Sequence, residues 1–100
     1  MAENDLRVYA IRRAILRELK RFRGAPVTAA ELYEDTPNVT LKVAKAETVA
    51  EQWAELQSFG YIEPVPGFGG EYCRITERGL QQVSPEFAPD PFVHGPGAAR

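Results

Sequence analysis

WAELQSFGYIEPVPGFGGEYCRITERGLQQV, residues 53–83, contains the change of pattern that decides the fold. Trp53 and Leu56 continue a helical spacing that starts upstream at Ala46 and Val49, with Ala50 and Ala54 at its margin. Gly60 stops it, as a glycine just past a helix end is suited to do. From Tyr61 to Val65 the pattern predicts a short strand, and from Tyr72 to Thr76 a returning one, with Ile62, Cys73 and Ile75 facing inward. Pro66–Gly70 is the glycine-rich loop between them. Pro64 has no N–H to give a ladder, which makes its strand an edge. Thr76 then caps a last helical turn through Leu80 and Val83, in which Gly79 permits a close approach to the core.

Working outward, a helix is predicted from a cap at Asn4 or Asp5 to about Phe22. Val8, Ile11, Ile15, Leu19 and Phe22 share its inner face, and Arg13, Arg17, Lys20 and Arg21 its outer one. Gly24 and Pro26 end it, leaving Val27 a very short extended piece. Thr28 and Glu31 form a capping-box pair that opens a second, short helix, with Leu32 and Tyr33 on its apolar side. Pro37 and Asn38 turn the chain. Thr40 is the expected cap of a third helix running unbroken from about Leu41 to Phe59.

Beyond Val83 the tail, SPEFAPDPFVHGPGAAR, has four prolines and two glycines, and residues 84–100 are expected to be disordered. Phe87, Phe92 and Val93 are its apolar side chains. The chain therefore reads as one domain, residues 1–83, followed by this tail.

Composition narrows the function. A content of 44% hydrophobic and 26% charged residues is that of a globular domain, and no apolar run reaches the length of a membrane span. With no signal-peptide pattern at the N-terminus, a cytoplasmic location is expected and no membrane partner. One cysteine, Cys73, and one histidine, His94, leave neither a disulfide nor a multi-ligand metal site. No nucleophile has a visible base, and GFGG at 67–70 is not followed by the Lys and Ser/Thr of a phosphate loop. No enzyme activity, metal or cofactor is expected. Charge is uneven: the chain carries −2 overall, but residues 1–24 balance to +4 and the rest to −6. That asymmetry suits a polyanion on the first helix, head-to-tail self-association, or equally a plain solvated helix face.

Three helices followed by a glycine-tipped hairpin, with Val49, Trp53, Leu56, Gly60, Tyr61–Ile62 and the closing ITERGL, resemble the winged helix-turn-helix domains of bacterial PadR-like and MarR-like transcriptional regulators. The resemblance covers residues 8–83. It implies a mainly α domain of three helices with a small β-hairpin, the wing, and duplex DNA as partner. On that pattern Thr40, Lys42, Lys45, Thr48 and Gln52 approach the major groove, and Arg13 and Arg17 contact phosphates. Two features depart from it. Glu47, Glu51 and Glu55 stack on the outer face of the third helix, and the wing has no Lys or Arg but carries Glu71. The sequence also lacks the long C-terminal dimerisation helix of the phenolic-acid regulators. These departures favour an alternative, a winged-helix module that binds protein through Phe68, Gly69 and Gly70 at the hairpin tip, or that forms a homodimer. Tyr9 and Tyr33 read as residues at the core edge, with a small effector pocket as the other reading.

Overall fold

The computed structural model describes residues 3–83, with side chains from residue 6 onward, so the tail expectations lie outside the described residues. The elements are α1 (Glu3–Arg21), α2 (Ala29–Asp35), α3 (Val39–Lys42), α4 (Ala46–Ser58), β1 (Ile62–Pro64), β2 (Cys73–Ile75) and α5 (Glu77–Val83). The domain is mainly helical with one antiparallel hairpin.

α1 is the axis on which the other elements pack. Ile11, Ile15 and Leu19 are buried as the spacing predicts, and Ala14, Leu16 and Glu18 are buried as well. One amphipathic face was expected; instead most of the circumference is covered, because α2, α3, α4, β2 and α5 all lie against it. Buried Glu18 keeps a partner in Arg21, one turn on. Asn4 and Asp5 lie within α1 rather than capping it. Phe22 is not a core residue: the helix ends before it, and positive φ at Arg23 and Gly24 turns the chain so that Phe22 is 38% exposed.

The Thr28–Glu31 capping box forms as expected. Glu31 N–H donates to Thr28 Oγ1 at 3.0 Å, and Thr28 N–H to the Glu31 carboxylate at 3.1 Å. The unbroken third helix does not form. Asn38, not Thr40, supplies the cap by accepting from Leu41 N–H at 3.3 Å, and α3 lasts one turn. Chain then passes through Val43–Lys45 before α4 begins. The physical reason is Lys45. In a continuous helix it would sit four residues from both Leu41 and Val49, on the face that carries these two fully buried side chains. The break lets both be buried while Lys45 stays exposed. Tyr33 secures it, its hydroxyl donating to the Ala44 carbonyl at 2.7 Å.

α4 buries Val49, Gln52, Trp53 and Leu56. Its buried arc is rotated toward Gln52, which leaves exposed both Ala46, expected on the core face, and Ala50 and Ala54, expected at its margin. Its end follows the glycine rule in detail. Gly60 at φ 82 lets Gly60 N–H reach the Gln57 carbonyl at 3.1 Å and Tyr61 N–H the Leu56 carbonyl at 3.0 Å, a Schellman closure.

β1 and β2 pair Ile62 with Ile75 and Pro64 with Cys73. Val27 bridges the other side of Cys73 through two backbone hydrogen bonds of 2.9 Å, so β1 carries Pro64 on an edge. Thr76 ties the closing segment: its hydroxyl donates to the Gly60 carbonyl at 2.7 Å and accepts from Gly79 N–H at 3.1 Å. A Cβ on Gly79 would stand 2.2 Å from the Tyr61 carbonyl oxygen, which is the close approach its place in the sequence suggested.

Candidate functional site

The break between α3 and α4 borders a concave surface. A groove of about 860 Å³ runs between the start of α1, α3 and the first turn of α4. Val8, Ile11 and Ala44 give it an apolar floor. Val39 and Val43 form an apolar lip, 71% and 78% exposed. Arg7 from α1, Thr40 from α3, Lys45 at the break, and Thr48 and Glu51 from α4 complete its lining.

Lys45 occupies the N-cap of α4 and makes no side-chain capping hydrogen bond. The first N–H groups of a helix have no partner within it and carry the positive end of its dipole. Here a cation holds the position where Ser, Thr, Asn or Asp would normally supply an acceptor. That end of α4 therefore presents positive potential, offset in part by Glu47 in its first turn.

Of the residues expected to contact DNA, the structure brings Thr40, Lys45 and Thr48 together in this groove. Lys42 is exposed at the end of α3, next to it in sequence. Arg17 is exposed on α1, and Arg13 is half-buried there; neither lines the groove. Gln52 does not face outward. It is 8% exposed, and its carbonyl oxygen accepts from Arg12 Nε at 2.7 Å. Arg12 is itself held over the rings of Tyr9 and Phe59, so the pair is part of the α1–α4 packing. Arg7 was not singled out from the sequence. Helical spacing sets it one turn ahead of Ile11, and only the position of α3 reveals what it faces.

Glu47, Glu51 and Glu55 are exposed on α4 as helical geometry predicted. At the hairpin tip Phe68 is 50% exposed with its ring centroid 5.8 Å from that of Tyr72, and Gly67, Gly69 and Gly70 all take positive φ. The Glu63–Arg74 pair at 2.8 Å is exposed across the strands, and surface pairs of this kind add little stability. Tyr33 reaches the edge of the groove only through its bond to Ala44, consistent with a core-edge residue.

Cys73 is fully buried. Burial pushes its thiol pKa up, with the Glu63 carboxylate adding to the effect and a hydrogen bond with Trp53 opposing it. A thiol kept protonated is a poor nucleophile. Among the described residues no cluster of His, Cys, Asp and Glu is arranged to hold a metal, and no helix is long and apolar enough to cross a membrane. No family model, curated protein or solved structure matches the chain.

Proposed function

We propose that this protein is a winged helix-turn-helix DNA-binding protein, a prokaryotic transcriptional regulator or accessory factor acting in the cytoplasm. In this reading α4 is the recognition helix, and the β1–β2 hairpin, packed against α4, is the wing. The observation that carries it is the N-terminal end of α4: a helix start with no side-chain cap, Lys45 at the cap position, Lys42 nearby, and Arg7 across the groove. Helix N-termini bind phosphate through their free N–H groups and dipole, and a recognition helix enters the major groove by this end. Thr40 and Thr48 add hydroxyl donors, and Arg17 on α1 adds a phosphate contact further along. Gln52 is outside the contact set, because its amide is committed to Arg12.

Glu47, Glu51 and Glu55 set the angle of approach. Carboxylates facing the backbone oppose binding that depends on phosphate neutralisation. DNA engaged by the α4 N-terminus alone, with the helix tilted away, keeps Glu55 off the phosphates and leaves Glu51, which lines the groove, to accept from a cytosine N4.

Phe68 favours a second reading, a winged-helix module that binds protein. An aromatic half-exposed on a glycine loop with no basic neighbour suits an interface anchor better than a phosphate contact.

Salt titration of binding to random duplex DNA separates the two. For the DNA reading, affinity falls steeply with salt and Lys42→Glu/Lys45→Glu abolishes binding. Absence of binding by the wild type at low salt removes that reading in favour of the protein-binding one.

A further inference from the structure

We propose that residues 84–100 of this same chain dock in the α1–α3–α4 groove, with Phe87, Phe92 and Val93 on its apolar floor and lip and Glu86 and Asp90 toward Arg7 and Lys45. The groove explains why something should cover it. Val39 and Val43 are adjacent to an apolar floor and largely open to water, an arrangement that marks a binding surface more often than a bare one. At about 860 Å³ it is of a size to take several side chains.

Reach, charge and backbone chemistry point to the tail as occupant. The segment departs from Val83, which is buried at the end of α5, and α5 lies against α1, the helix that walls the groove. At about 3.3 Å per residue, seventeen extended residues span roughly 55 Å, whereas the folded body is 38 Å in its longest direction. The two carboxylates, four residues apart, match the two cations that line the groove, which outnumber its one carboxylate, Glu51, and carboxylates are the natural substitutes for phosphates at the uncapped start of α4. The segment has four prolines, and the fixed φ of proline lowers the entropy lost on docking. The expectation that this segment lacks helix and strand is compatible with docking as an extended strap.

One consequence rests on the DNA reading above. Since Lys45 and Thr48 line the same groove, the docked tail and DNA exclude each other, and the tail acts as an internal competitor. A tail docked in nine-tenths of the molecules weakens DNA binding by about tenfold.

The test uses the full chain with a nitroxide on Ala88→Cys; Cys73, fully buried, stays unlabelled. Docking predicts strong paramagnetic attenuation of the Val39, Val43 and Thr48 amide resonances, and its loss in Val43→Asp, a change at an exposed site that leaves the fold intact. Uniform absence of attenuation overturns the proposal. Attenuation seen only on mixing spin-labelled with isotope-labelled chains overturns it too, by assigning the groove to a second copy. Attenuation within one chain, alongside no DNA binding, upholds the docking and removes only the DNA reading. With both intact, Phe87→Ala/Phe92→Ala tightens DNA binding by about the same tenfold.

Discussion

Two regions of this small domain are built to opposite standards. The closing segment, from Gly60 through the hairpin to Val83, is fixed by contacts that admit one geometry. Gly79 lies against the Tyr61 carbonyl, Thr76 bonds to both Gly60 and Gly79, and Cys73 pairs with Pro64 of β1 on one side and bridges to Val27 on the other. Around the α3–α4 groove, by contrast, two valines are largely exposed, a helix starts without a side-chain cap, and two cations line an apolar groove. The first arrangement is what a core of this size needs to define a unique state. Cost without structural return is the mark of the second, and that combination is characteristic of surfaces kept for binding.

The comparison breaks most readily through Trp53, which lies beneath the hairpin beside Cys73. Trp53→Ala should cost about 3–5 kcal/mol, as large aromatic truncations in cores do. Thermal unfolding followed by circular dichroism measures it, and an unchanged midpoint would mean the side chain does not support the core. Gly79→Ala comes next. One added methyl against a backbone carbonyl has no flexible neighbour to displace, and overpacking of this kind costs about 1–3 kcal/mol. If Gly79→Ala melts with the wild type, α5 is free to shift and the closing segment is less rigid than its contacts indicate.

A smaller effect follows from Cys73. Its thiol pKa is raised in the folded state, so the unfolded chain loses that proton first as pH climbs past the ordinary thiol range near 8.5. Between the unfolded and folded values the unfolded state binds fewer protons, and stability therefore falls as pH rises. Below that range the group contributes no pH dependence. Urea unfolding between neutral and alkaline pH should show the decline, and Cys73→Ala, although less stable overall, should lack this component of it. Smallest of all, with docking already removed by Phe87→Ala/Phe92→Ala, Val43→Asp should alter stability by no more than about 0.5 kcal/mol, as exposed substitutions usually do. A loss comparable to that of Gly79→Ala would show that the lip is structural and dissolve the contrast between the two regions.

Local chemistry was legible in the sequence wherever a residue acts on its own neighbours. The Thr28–Glu31 box, the Gly60 stop, the Pro64 edge, the Gly79 approach and the Glu47–Glu51–Glu55 stripe all follow from backbone preference or from spacing along one element. The break at Val43–Lys45 did not, because nothing in that stretch opposes helix strongly; the conflict arises only when Leu41 and Val49 must both be buried against other elements. Gln52 illustrates the same limit at the candidate site. Its polarity and spacing suit an outward contact, but Arg12 of α1, forty positions earlier, draws it inside.

Sequence by itself determined a mainly helical domain closed by a hairpin, the ends of several of its elements, and the sign of charge along α1 and α4. Tertiary structure alone decided that the third helix is two, that Lys45 stands at the N-cap position of the second without capping it, and that Arg7, Thr40, Lys45 and Thr48 share one groove. The physical reason is range. Caps, turns and helical faces are settled within four residues, whereas a groove exists only between elements whose relative placement is set by the burial of the whole core.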